Sequence, residues 1–218
     1  MLVVRRAVVG PFAENTWLVA DSGTGEAAIV DPGGETSRVL ALLGPEGFVV
    51  RQILATHGHV DHIAGAAEAC ERTGAPFRIH GRDAPFVGAL PAQAAGLGFG
   101  PVRTPEVAGF LEDGEALRVG GHEGRVIHTP GHSPGSVSFW FPDDRALFTG
   151  DTLFQGSVGR VDLPGGDGAA LVESIRERIF PLGDDVRFFP GHGPEGTLGE
   201  ERVANPFVGE GAPRGRFL

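Results

Sequence analysis

Four short apolar runs in this chain each end in a small-residue turn carrying a histidine or an aspartate, and this repeated design constrains the fold most tightly. Ile53-Leu54-Ala55 leads into Thr56-His57, and Arg125-Val126-Ile127-His128 leads into Thr129-Pro130-Gly131-His132. Arg145-Ala146-Leu147-Phe148 leads into Thr149-Gly150-Asp151, and Val186-Arg187-Phe188-Phe189 into Pro190-Gly191-His192. Each run reads as a buried strand. Its rigid backbone positions a side chain delivered from the turn that follows, and glycine beside that side chain permits close backbone approach. Four such elements predict strand ends that converge on one site.

The densest stretch is Thr56-His57-Gly58-His59-Val60-Asp61-His62, with three imidazoles and a carboxylate. Imidazole and carboxylate are preferred ligands of borderline divalent metals. A histidine-rich surface turn would be the bland explanation, but the other three runs supply further ligands of the same kind. His80 and His128 fall in strand-like contexts and read as core residues or as supports behind the ligands. His122, in Gly-His-Glu-Gly, reads as a turn residue. Asp31 ends a strand just before Pro-Gly-Gly. It is expected either to shape that turn or to accept the second N–H of a ligand histidine.

Between these points the chain alternates β-rich runs with a few helical patterns, and 218 residues suit one domain spanning 1–218. Val3-Val4, Thr16 to Ala20 and Ala27 to Val30 read as strands. Thr36 or Ser37 could cap a short helix running to Leu43. Asp61 to Arg72 reads as one helix closed by Gly74, and Ala169 to Phe180 as another that starts near Asp167. Residues 81–114, rich in Gly, Pro and Ala, lack sustained periodicity. They read as a surface excursion or as a flap beside the pocket that helps to choose substrates.

Composition removes several function classes. The net charge is −10 and no basic run occurs, which argues against nucleic acid and anionic membrane surfaces as partners. All 18 basic residues are Arg, and neither Lys nor Tyr is present to serve as a catalytic group. Cys70 is the sole cysteine, so no intramolecular disulfide can form; within a helix it reads as a small hydrophobe. The short apolar N-terminus contains Arg5 and Arg6, and no run approaches 18 apolar residues. A cytoplasmic location is the simplest expectation. Oligomeric state is not legible, since no heptads occur.

The motifs together resemble a known family. THGHVDH, TPGHSPGS at 129–136, FTGDTLF at 148–154 and FFPGHG at 188–193 are similar to metallo-β-lactamase-fold hydrolases of the glyoxalase II-like (hydroxyacylglutathione hydrolase) branch. PFAENTWLV, IVDPGG, GSVGRVDLPGGD and ERVANPF are weaker echoes, and the match is closest to the short, single-domain members. The resemblance implies an α/β fold, a four-layer αββα sandwich with metals in a cleft at one edge of its two sheets. It implies that His57, His59 and His132 hold one ion, that Asp61, His62 and His192 hold a second, and that Asp151 bridges them. Two divalent ions per chain are expected, zinc foremost, with iron or manganese also compatible with this ligand set. Such ions can lower the pKa of water from about 15.7 towards about 7, and the resulting metal-bound hydroxide, beside Asp61, would be the nucleophile.

The implied reaction is hydrolysis of a small-molecule thioester, S-lactoylglutathione or a related hydroxyacylglutathione. Arg160 occupies a position where such sequences carry a basic residue near a substrate carboxylate, which a guanidinium can grip bidentately. The β-lactamase branch best known for a cysteine ligand fits poorly, because Asp151 stands where that cysteine would be. The longer glyoxalase II enzymes add a C-terminal helical domain beyond the length seen here and use Tyr and Lys for binding, so another acyl thioester is also compatible. The alternative from a different reaction class is a mononuclear-iron persulfide dioxygenase acting on glutathione persulfide, which shares nearly the same ligands. The Leu163-Pro164-Gly165-Gly166 continuation favours the hydrolase. A non-catalytic metal-binding or interaction module is the third reading, and an open ligand set suits a purely structural metal badly.

Overall fold

A computed structural model describes residues 1–212, so the last six residues of the expected 1–218 span lie outside the described residues. The first half contains strands β1 (Leu2–Val9), β2 (Glu14–Asp21), β3 (Glu26–Val30), β4 (Val49–Leu54), β5 (Phe77–His80) and β6 (Val107–Leu111). They form one sheet in chain order, antiparallel over β1–β3 and parallel from β3 to β6. Helices α1 (Thr36–Ala41), α2 (Val60–Ile63), α3 (Ala66–Thr73) and α4 (Ala84–Gly96) supply the crossovers.

The second half contains β7 (Ala116–Val119), β8 (His122–His128), β9 (Val137–Phe141), β10 (Ala146–Gly150) and the two-residue strands β11 (Leu153–Phe154) and β12 (Ser157–Val158). These are followed by α5 (Gly168–Glu173), β13 (Arg187–Pro190), β14 (Gly196–Thr197) and α6 (Leu198–Ala204). The second sheet runs β14-β13-β10-β9-β8-β7, with β10 and β13 parallel. Among the described residues, β11 and β12 pair only with each other.

Alternation along the strands creates the layers, because successive side chains point to opposite faces. On β2 and β3, Leu18, Ala20, Ala27 and Ile29 pack with the helices α1–α4, whereas Trp17, Val19, Ala28 and Val30 face the other sheet. On β10, Ala146 and Phe148 enter the space between the sheets, and Leu147 packs outward with Leu171, Ile175 and Ile179. Those three follow a four-residue helical spacing on α5 and the wider helical turns continuing it through Ile179. Three apolar cores therefore separate helix, sheet, sheet and helix, the four-layer αββα arrangement implied by the motifs.

Several expectations need correction. The helix expected over Asp61–Arg72 is two helices, broken at Ala64-Gly65. Gly65 donates its N–H to the Pro32 carbonyl at 2.8 Å, and a Cβ there would come within 3.0 Å of the Pro32–Gly34 backbone, so the crossing loop interrupts the helix. Gly74 does close α3, with φ 73° and its N–H on the Cys70 carbonyl. Helix α1 stops at Ala41 rather than Leu43; Glu35, in the left-handed region at φ 44°, precedes it in place of a Thr or Ser cap. His122 opens β8 and bonds Asp144 at 2.7 Å instead of forming a turn.

The largest correction concerns residues 81–114. They contain the 13-residue helix α4 and strand β6. Val87, Leu90 and Ala94 bury one face of α4 at helical spacing. Its other face is Ala, Gly and Pro rather than charge, and Pro91 lies inside it, so the sequence lacks the polar contrast by which an amphipathic helix is read.

Candidate metal centre and cleft

The ligand-type side chains come from four strand ends, as the sequence predicts. His57 and His59 lie in the loop after β4, Asp61 and His62 on the single turn of α2, and His132 in the β8–β9 loop. Asp151 and His192 follow β10 and β13. These strands are parallel neighbours, and the Gly191 N–H binds the Gly150 carbonyl at 2.9 Å, which sets the two side chains next to each other. Val137 N–H to Thr56 O at 2.8 Å ties the first sheet's loop to the second sheet.

All seven residues meet in one cluster. The His132 Nε2 is 2.8 Å from His59 Nδ1 and 3.2 Å from His57 Nε2. In the other half, Asp61 Oδ2 is 3.2 Å from His192 Nε2 and 3.7 Å from His62 Nε2. Asp151 reaches both halves: its Oδ2 is 3.6 Å from His132 Nε2 and 3.6 Å from His192 Nε2, and its Oδ1 is 3.3 Å from His62 Nε2.

Mutual electrostatics divide the cluster into neutral imidazoles, ionised carboxylates and two imidazoles that attract a proton. Burial, reinforced by the neighbouring imidazoles, pushes His57 well down and His59 to about 4, so both are neutral near pH 7. Burial opposes ionisation of Asp61 and Asp151, yet the facing His62 and its neighbours outweigh it and hold both carboxyls below the usual range. Burial also disfavours charge on His62 and His192, but Asp151 and Asp61 draw positive charge there and raise both. Neutral imidazoles and ionised carboxylates are the forms that bind metal, so His57, His59, Asp61 and Asp151 stand ready for it, while a cation at His62 and His192 would take the place of the protons that the carboxylates draw there.

The donor set fits a divalent ion by a further observation. Among the described residues, His62 Nε2 and Asp151 Oδ1 are buried with no hydrogen-bond partner, and such atoms are costly unless something binds them. Gly191 lies so near both side chains that a Cβ would collide with them. The His/Asp triads His57–His59–His132 and Asp61–His62–His192 each converge within 4.8 Å, as does Asp31–His57–His62.

Behind the cluster stand residues that orient its side chains. Asp31 Oδ2 lies 3.1 Å from His62 Nδ1 and accepts the Thr56 hydroxyl at 2.7 Å, while Oδ1 accepts the Thr56 N–H at 2.6 Å. Asp31 holds φ 52°, an unusual value for a side-chain-bearing residue. His132 Nδ1 is fixed by the Arg160 carbonyl at 2.8 Å. His80 and His128 stack on each other at 4.5 Å, and neither belongs to the converging triads.

Two fully buried carboxyls beside the cluster are not legible in the sequence. Asp83, fully buried at the start of α4, accepts Gly58 N–H at 2.8 Å, Ser133 Oγ at 2.6 Å and Gly135 N–H at 2.6 Å. It thus joins the His57–His59 loop to the loop after His132. Glu14 is also fully buried, 3.9 Å from His62 Nδ1, and burial pushes its carboxyl well above the ordinary range. Neither belongs to a recognisable motif; the only sequence hint for Glu14 was its place in PFAENTWLV.

The cluster opens into a cleft of about 630 Å³ lined by His59, Asp61, His132, Asp151 and His192. Arg160 lines the cleft as well, but its side chain is 62% exposed and its guanidinium is bound twice by Asp162 at 2.7 Å. Cys70 is half-buried on α3, away from the cleft lining, and burial raises its thiol pKa. Among the described residues, no helix is long and apolar enough to cross a membrane.

Comparison with known proteins agrees with this geometry. Hydroxyacylglutathione hydrolase GloC of Haemophilus influenzae is 36% identical over 92% of this chain and 95% of its own length. The crystal structure of BLEG-1 B3 metallo-beta-lactamase superposes with a TM-score of 0.87 at 35% identity, covering 94% of this chain and 99% of that one. TTHA1623, solved in a di-iron-bound form, gives a TM-score of 0.84 at 38% identity, covering 94% of this chain and all of its own. The family model described as the metallo-beta-lactamase superfamily matches residues 9–192, a span that runs from the end of β1 to the last ligand-type histidine. The chain belongs to the metallo-beta-lactamase superfamily.

Proposed function

We propose that this protein is a dinuclear metal-dependent thioester hydrolase whose substrates include hydroxyacylglutathiones such as S-lactoylglutathione. The observation that carries this reading is Asp151, whose one carboxylate reaches imidazoles of both triads at 3.6 Å. His57, His59 and His132 would hold one ion, Asp61, His62 and His192 the other, and Asp151 would be shared. When bound, two such ions activate water, polarise the carbonyl under attack and steady the leaving group.

The chain's own residues do the rest. Asp61 faces the cleft in its ionised form and orients the attacking water by accepting its hydrogen bond. Asp31 and the Arg160 carbonyl fix the ring orientations of His62 and His132. Outside the cluster, the polar side chains lining the cleft among the described residues are Gln93, Ser157 and Arg160. None donates a proton readily near pH 7. A thioester needs no such donor, because a thiol of pKa about 8.5 can leave as thiolate, whereas an amine leaving from an amide must be protonated. Arg160 is the group available to a substrate carboxylate. Its pair with Asp162 is exposed and screened by water, so a substrate can displace it.

The likeness to GloC supports glutathione as the thiol, and the di-iron TTHA1623 structure supports two ions. The test is hydrolysis of S-lactoylglutathione by protein of known zinc and iron content with oxygen excluded, beside a chromogenic β-lactam. Thioester turnover well above β-lactam turnover is expected. Turnover of the β-lactam alone, or of glutathione persulfide only once oxygen is admitted, would replace this reading.

A further inference from the structure

The cleft is built for more apolar surface than a hydroxyacyl group offers. Phe12 from the β1–β2 turn, Phe86 of α4, Leu97 just beyond it, Phe154, Val158 and Leu163 all line it. Phe86 packs edge-on against His59 at 5.4 Å and Phe154 against His192 at 6.0 Å, so apolar rings flank both halves of the ligand cluster. Phe12 and Leu97 are 45% and 48% exposed. Large apolar side chains left to water around a concave site are the usual mark of a ligand surface.

Charge points the same way. Helix α4, sequence APFVGALPAQAAG, has no ionisable side chain. Beyond the ligand cluster, Arg160 is the one ionised side chain lining the cleft among the described residues, and Asp162 already neutralises it. Glutathione carries two carboxylates and an ammonium, of which this lining can pair one.

Resting on the thioesterase reading above, we infer that the preferred substrate carries an apolar group of medium-chain or aryl size next to the thioester, seated against Phe12, Phe86 and Leu97. Two ends of the molecule could supply that group, and paired substrate series separate them. One series holds glutathione as the thiol and lengthens the acyl group from acetyl to octanoyl. The other holds acetyl as the acyl group and replaces glutathione with N-acetylcysteamine and then benzyl mercaptan.

For the metal-loaded enzyme, kcat/KM should rise in at least one series. In the acyl series the rise is about two- to fourfold per methylene over the length the cleft accommodates, the upper value being full burial. L97E, at a half-exposed position where the fold tolerates charge, should flatten the rising series. A flat or falling trend in both series overturns the inference while leaving the thioesterase reading intact. If no thioester is cleaved, that reading fails, and calorimetric titration with octanoate judges the cleft independently. Binding that weakens tenfold or more in L97E supports the apolar seat; no binding to wild type refutes it.

Discussion

Asp83 shows how one side chain can set the geometry of a site it never enters. Its carboxylate takes three hydrogen bonds, two from backbone N–H groups and one from Ser133, across loops that belong to different sheets. Hydrogen bonds to a buried charge are worth about 1.5–3 kcal/mol each, and residues supporting metal ligands typically change metal affinity about 10–100-fold. Asp83→Ala should therefore lose about 2–4 kcal/mol in urea unfolding and weaken metal binding about 10–100-fold in chelator competition. Unchanged affinity would show that the two loops hold themselves. Asp151→Ala separates ligation from folding in the opposite sense. Its Oδ1 has no hydrogen bond to lose, so far-UV circular dichroism should match wild type while thioester turnover disappears. Retained turnover would remove Asp151 from the centre.

At the scale of elements, Asp21 at the end of β2 links the sheets through the β7–β8 turn. Its carboxylate accepts Gly121 N–H at 2.9 Å and Gly23 N–H at 2.8 Å, which holds its pKa below the ordinary value. A depressed carboxyl pKa contributes stability that is fully present above the unfolded value of about 3.9 and is lost as pH falls through the folded value. Urea midpoints should consequently fall more steeply below pH 4 for wild type than for Asp21→Asn. Parallel curves would exclude this linkage. The strands and their ligand-bearing ends were legible because buried β-runs and glycine turns leave a local pattern, as at Leu147-Phe148 before Gly150-Asp151. Helix α4 was not legible, because its solvent face carries Ala, Gly and Pro rather than charge. The break at Gly65 was hidden for another reason: it is imposed by the Pro32–Gly34 loop, which is distant in sequence. Asp83 and Glu14 were invisible for the same cause, since only tertiary packing reveals what an isolated carboxyl faces.

Across the whole molecule, the ligand-type side chains come from both halves of the chain: His57, His59, Asp61 and His62 follow β4 of the first sheet, and His132, Asp151 and His192 follow strands of the second. The shared core of Trp17, Phe148 and Phe189 holds those strand ends in register, with Phe148 stacked on Phe189 at 4.9 Å. Metal binding would therefore clamp the two sheets where their loops meet, and catalysis would depend on both positions being filled. The most direct test is S-lactoylglutathione hydrolysis, without oxygen, by metal-free protein titrated with zinc or iron. Turnover should climb to a plateau near two equivalents per chain. A plateau at one equivalent, or no thioester turnover at two, would contradict the dinuclear hydrolase.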